Sequence, residues 1–106
     1  MLCLLLSLII SRIEANTNNY SISGRISDER TGSPLPGASI LIKGTYLWAV
    51  SDQKGEFTIQ GIQEGKYQLE VSFLGYVPAT VPVNVNNSIK GLKIQLKENT
   101  LALNDV

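Results

Sequence analysis

Lys66 to Tyr76 read KYQLEVSFLGY, and this stretch decides the fold. Tyr67, Leu69, Val71 and Phe73 fall on one side of an extended chain, and Lys66, Gln68, Glu70 and Ser72 on the other. That period of two is the pattern of a half-buried β-strand, because successive side chains leave a strand on opposite faces. Gly65 opens the run and Gly75 closes it, as glycine does where the backbone must turn. The stretch therefore predicts a central strand. The same alternation recurs along the chain at a spacing of roughly ten residues, which predicts a small all-β sandwich.

Composition bounds what such a sandwich can do. The chain has 106 residues, enough for one domain but not for two cores. Its 43% hydrophobic and 17% charged content is that of a folded domain. Nine basic residues balance nine acidic ones with no block of one sign, so the electrostatic footprint of a nucleic-acid binder is absent. There is no histidine, and Cys3 is the only cysteine. This removes an intrachain disulfide, zinc sites built from Cys and His, and Ser-His or Cys-His nucleophilic catalysis. The remaining acid–base groups are single carboxylates, among them Asp28, Glu29, Asp52, Glu56, Glu64, Glu70, Glu98 and Asp105, which read as a solvated surface. No catalytic, cofactor-binding or metal-binding residue is assigned.

In chain order, Leu2 to Ile10 is an apolar run too short to cross a bilayer as a helix, and Ala15 follows where a secretory cleavage would fall. Residues 1–15 are read as a signal peptide, with an apolar strand or buried tail as the alternative, and 16–19 as a flexible leader. Tyr20 to Asp28 alternates as a first strand, in which Gly24 marks a bulge or a close backbone approach. Glu29 to Pro36 is a loop. Gly37 to Gly44 carries a second strand with Ala38, Ile40 and Ile42 on one face. Trp48–Ser51, the tight turn DQKG at Asp52 to Gly55 and Glu56–Ile59 are expected to form a hairpin, with Phe57 and Ile59 in the core. Pro78 and Pro82 confine the strand between Val77 and Val85 to an edge or a bulge. Leu92, Ile94 and Leu96 alternate in a last strand. Six or seven short strands fit a two-sheet sandwich with Greek-key connections over residues 20–98.

The order Gly24, Asp28, Pro34-Leu35, Gly37-Ala38, Gly44-Thr45, Asp52, Gly55, Phe57 and Gly75-Tyr76 resembles the carboxypeptidase regulatory-like domain. It is the form found at the N-terminus of SusC-like TonB-dependent receptors in the outer membrane of Bacteroidetes. Each element alone is common, but the ordered set of GRISD, PLPGASI, GT, SDQKGEF and SFLGY is specific. The resemblance implies a seven-stranded Greek-key, prealbumin-like or Ig-like sandwich on the periplasmic face of the outer membrane. It also implies a non-catalytic accessory role in nutrient transport, with the receptor's own plug and barrel and the TonB system as partners. Membrane contact would come only through an attached barrel. LALNDV at Leu101 to Val106 resembles the segment leading into the plug, so residues 99–106 are read as a linker toward that domain.

The pattern departs from the family at TYLWAV, where a small residue is usual near Trp48 and three large side chains stand in a row instead. Tyr46, Leu47 and Trp48 are accordingly the candidate interaction patch, since aromatic side chains anchor interfaces and stack on sugars. Core packing of the Trp48 ring is the favoured alternative. A calcium loop at DQKG is set aside, because Gln53 and Lys54 do not supply oxygens at alternate positions. Asp52 and Gly55 are explained as turn residues, and Gly75-Tyr76 as a strand end with a packed ring. A stand-alone carbohydrate-binding or adhesion module is the rival function.

Overall fold

The computed structural model describes residues 19–99. Residues 1–15, read above as a signal peptide, most of those read as a leader (16–19) and those read as a linker beyond Asn99 lie outside the described residues. Seven strands are present: β1 (Tyr20–Asp28), β2 (Ser39–Ile42), β3 (Trp48–Val50), β4 (Glu56–Ile62), β5 (Gly65–Ser72), β6 (Ala79–Val85) and β7 (Ile89–Leu96). They form a three-stranded sheet in the order β4-β1-β7 and a four-stranded sheet in the order β3-β2-β5-β6. Strand β5, the stretch on which the sequence reading rests, is an inner strand between β2 and β6. Its Leu69 and Val71 are fully buried, as the alternation requires.

The core is the apolar set turned inward from both sheets. Ile22, Ile26, Ile40, Ile42, Ile62, Leu69, Val71, Val85 and Leu96 are its largest fully enclosed side chains, with Phe57, Ile59 and Ile94 packed among them. β-Branched residues dominate because their restricted side chains fit a pleated surface. Strand β6, which carries Pro82, lies on an edge as the missing donor demands. Among the described residues, every buried side-chain nitrogen and oxygen has a hydrogen-bond partner.

The expected hairpin between Trp48–Ser51 and Glu56–Ile59 does not form. Strand β3 pairs antiparallel with β2, placing Leu41 opposite Trp48 and Ser39 opposite Val50, whereas β4 pairs with β1 in the other sheet. The hydrogen bonds flanking each turn show the difference. Between β2 and β3, Gly44 takes a φ of 83°, the Thr45 hydroxyl donates to the Ile42 carbonyl and accepts from the Leu47 amide, and the Ile42 amide donates to Leu47. That is a complete hairpin turn. The DQKG turn, by contrast, closes on itself, the Asp52 amide donating to the Glu56 carbonyl and the Gly55 amide to the Asp52 carbonyl, yet it passes the chain from one sheet to the other. The Ser51 hydroxyl donates to the Leu35 carbonyl and accepts from the Ala38 amide, while the Gly55 carbonyl accepts from the Ile26 amide of β1.

At Gly24 the two alternatives prove to be one feature. Strands β1 and β7 run parallel, with Ile22 opposite Ile89 but Gly24 opposite Leu92, so β7 carries an extra residue at this point. The bulge pushes the β7 backbone onto Gly24, where a Cβ would overlap the carbonyl oxygen of Leu92.

Candidate interaction surfaces

Strand register brings most of the motif residues to one end of the sandwich. Asp28 ends β1 opposite Leu96 at the end of β7, Arg25 faces Glu56 at the start of β4, and Ser39 of β2 faces Ser72 at the end of β5. The loops holding Pro34, Gly37, Asp52, Gly55, Gly75 and Tyr76 therefore meet at this end, and Gly44 lies at the other. Phe57 is a core residue of β4.

Asp28 organises the cluster. One carboxylate oxygen accepts from the Arg30 amide at 2.7 Å and the Thr31 amide at 3.0 Å, closing the loop that leaves β1. The other accepts from the Tyr76 hydroxyl at 2.6 Å. The Tyr76 ring stands 5.6 Å from that of Phe73 at a tilted angle. Tyr76 also bridges to Glu98, the Val77 amide donates to Lys97, and the Asn99 amide donates to Gly75. One hydroxyl–carboxylate bond thus latches the β1–β2 loop to the β5–β6 loop, and that loop grips the chain as it leaves β7. Asp28 is buried, not part of a solvated surface, because its acceptor capacity is filled by these donors.

The Tyr76 hydroxyl, followed by the Thr31 and Arg30 amides, holds the Asp28 carboxyl below its usual 3.8 against the opposing effect of burial. The same bond raises Tyr76 above its usual 10.0. The signs set the pH behaviour. With its folded pKa lowered, Asp28 contributes stability that is present above the usual carboxylate value and is lost as pH falls through the folded one. With its folded pKa raised, Tyr76 contributes stability that is present below the usual phenol value and is lost as pH rises through the folded one. In urea titrations, Tyr76→Phe is expected to lower the unfolding midpoint most at neutral pH. The gap to the parent chain should narrow below the usual carboxylate value and again above the usual phenol value; a gap independent of pH would show that the latch is not ionic.

Of the sequence-chosen patch, Tyr46 is 99% and Trp48 64% exposed, whereas Leu47 turns the other way and packs against the core. The favoured core placement of Trp48 is therefore incorrect. The phase is set by Ser51, whose buried hydroxyl turns Leu47, Ala49 and Ser51 inward and leaves Tyr46, Trp48 and Val50 outward. Leu41, directly opposite Trp48 and 38% exposed, and Val50, 50% exposed, complete an apolar surface on the outer face of the four-stranded sheet. Neither was singled out from the sequence, though both follow once Trp48 is assigned outward. Among the described residues, no group of three or more metal-ligating side chains comes together, and no helix is long and apolar enough to cross a membrane.

The model of the CarboxypepD_reg-like domain family matches residues 22–106. The chain belongs to that family. Members of the CarboxypepD_reg-like domain family can be parts of far larger proteins, and the sequence relatives are of that kind. The TonB-dependent receptor SusC of Bacteroides thetaiotaomicron is 30% identical over 106 residues, which is 100% of this chain and 10% of the receptor. Two TonB-dependent receptors of Formosa agariphila are 29% identical over 101 residues and 30% identical over 107 residues, covering 95% and 99% of this chain and 10% of each receptor. The chain thus spans about a tenth of the length of the curated relatives it matches.

Solved structures agree on the fold. A chain in a type II cohesin–X-dockerin complex from Acetivibrio cellulolyticus superposes with a TM-score of 0.65 at 25% identity, over 74% of this chain and 58% of that one. The group B streptococcus pilus 2b backbone protein gives 0.61 at 18% identity, over 79% and 43%. A DUF3823 family protein from Parabacteroides merdae gives 0.59 at 15%, over 78% and 48%. At such identities the last two speak for the β-sandwich alone.

Proposed function

We propose that this CarboxypepD_reg-like domain is a non-catalytic accessory and interaction domain of a SusC-like TonB-dependent outer-membrane nutrient receptor, exported and held on the periplasmic face of that membrane. The carrying observation is the 30% identity to SusC across the whole chain, a tenth of the receptor's length. The domain acts by protein–protein contact, with the receptor's plug and barrel and the TonB system as partners. The latched end supports this reading. Lys97 and Asn99 are hydrogen-bonded to the β5–β6 loop, so whatever follows leaves the sandwich at a defined point. Leu74, 95% exposed, and the partly exposed Val77 stand beside that point, where a following domain would cover them.

A second reading, a carbohydrate-binding or adhesion module, is favoured by the exposed rings of Tyr46 and Trp48. One experiment separates the two. A receptor from which residues 20–98 are deleted, with its plug and barrel retained, is expected to reach the outer membrane in normal amount and to transport more slowly. Unchanged transport, together with specific glycan capture by the isolated chain, would reverse the order of the two readings.

A further inference from the structure

Four strand edges close this sandwich, and three of them are guarded. Strand β6 carries Pro82 and is preceded by Pro78. Strand β7 carries Lys90, Lys93 and a kink at Gly91 with φ 70°. Strand β4 shows Glu56, Thr58 and Gln60 outward and is interrupted at Gly61 with φ 78°. Prolines, charges and bulges are the devices that keep an edge from pairing with another chain. Strand β3 has none of them. Its one protection is its length of three residues.

The register says what this edge offers. The Ile42 amide donates to the Leu47 carbonyl and the Ser51 amide to the Ala38 carbonyl, so 42/47, 40/49 and 38/51 are the hydrogen-bonded pairs with β2. By the alternation of an antiparallel ladder, the N–H and C=O of Trp48 and Val50 then point away from β2, toward the open edge. No partner for them is found among the described residues. The same two residues carry the exposed apolar side chains, beside Leu41 and with Tyr46 at the hairpin tip. Backbone groups and apolar surface therefore recur together at every second residue.

We infer that β3 is a docking edge for an extended peptide segment of a protein partner, which adds as a fifth strand beside β3 and lays alternate apolar side chains against Trp48 and Val50. Backbone pairing supplies register, and the rings supply the contact area that a three-residue edge lacks. A second copy of this chain is the weaker occupant. Its own β3 is closed off by turns after only three residues and cannot run on to reach Tyr46 as an extended peptide can. The inference rests on the reading of the domain as an interaction module and names the surface that would do the work.

Trp48 is the single tryptophan of the chain, so its emission reports the site directly. The probe is a short blocked peptide alternating valine with threonine between terminal lysines, and the control is the same peptide with alternate amides N-methylated. Added to the full chain, the probe is expected to shift Trp48 emission to the blue and to slow hydrogen exchange of the Trp48 and Val50 amides about tenfold, the protection expected of amides drawn into a ladder; the control does neither. Val50→Pro removes an outward donor without breaking a ladder bond, so it should weaken peptide binding about tenfold while the fold is kept. The exchange measurement on the parent chain decides the matter if that variant does not fold. A shift in emission without amide protection, equal action of both peptides, no response to the probe, or protection that follows the concentration of the chain alone would each overturn the inference. Transport by the domain-deleted receptor tests the accessory role separately, so a failure of strand addition leaves that reading standing.

Discussion

Gly24→Val is expected to destabilise the domain by roughly 3–5 kcal/mol, near the upper end for a single substitution. Against a total stability of about 5–15 kcal/mol typical of such domains, that loss unfolds a domain at the low end of the range and sharply lowers the melting temperature of one above it. The reason is specific to the pairing of β1 with β7. A Cβ at position 24 would overlap the Leu92 carbonyl oxygen and come within 2.9 Å of the Leu92 Cβ. Backbone cannot rotate out of the way as a side chain can. Relief requires β7 to withdraw, and β7 contributes Ile94 and Leu96 to the core. A melting transition in circular dichroism that is lost or shifted down by more than about ten degrees would confirm the effect. Gly32→Ala is the comparison: its added Cβ meets nothing within 4 Å, leaving only the strain of a φ of 75°, for a cost of about 1 kcal/mol. Comparable losses at both positions would refute the close-approach account.

Leu69→Ala is expected to cost about 2–5 kcal/mol, the range for truncating a fully buried leucine to alanine. Leu69 sits on the inner strand β5 between Ile42 of β2 and Val81 of β6, so the surrounding sheet cannot collapse into the space left behind. The next residue provides the control. Glu70 faces solvent on the same strand, and Glu70→Ala should change stability by no more than about 0.5 kcal/mol. Urea denaturation of both variants at one pH measures the contrast, and an equal effect at 69 and 70 would place the wrong face inward.

The same contrast shows why the fold could be read from the sequence. From Lys66 to Phe73, KYQLEVSF, the apolar and polar residues separate completely by parity, and a one-residue slip would bury Glu70. TYLWAV allows no such decision, because both of its phases are partly apolar: Tyr46, Trp48 and Val50 in one, Leu47 and Ala49 in the other. A buried hydroxyl in the following residue, Ser51, settles the phase, and its partners Leu35 and Ala38 come from a distant loop. The misplaced hairpin has a related cause. DQKG shows that the chain turns, since the Asp52 carboxylate accepts from the Lys54 and Glu56 amides, but turn chemistry carries no information on which sheet receives the next strand. Asp28 and Tyr76 were both visible as motif residues. Their bond was not, because it joins positions 48 apart and depends on two loops meeting at one end of the sandwich.

The central claim is that this domain works as part of a receptor. It is tested most directly by the size and location of the native protein, using an antibody raised against residues 20–97 on fractionated source cells. A band in the outer-membrane fraction several times the size of this chain, consistent with relatives of which it spans 10%, is the predicted result. A single band of this chain's own size in the soluble periplasmic fraction would contradict the account.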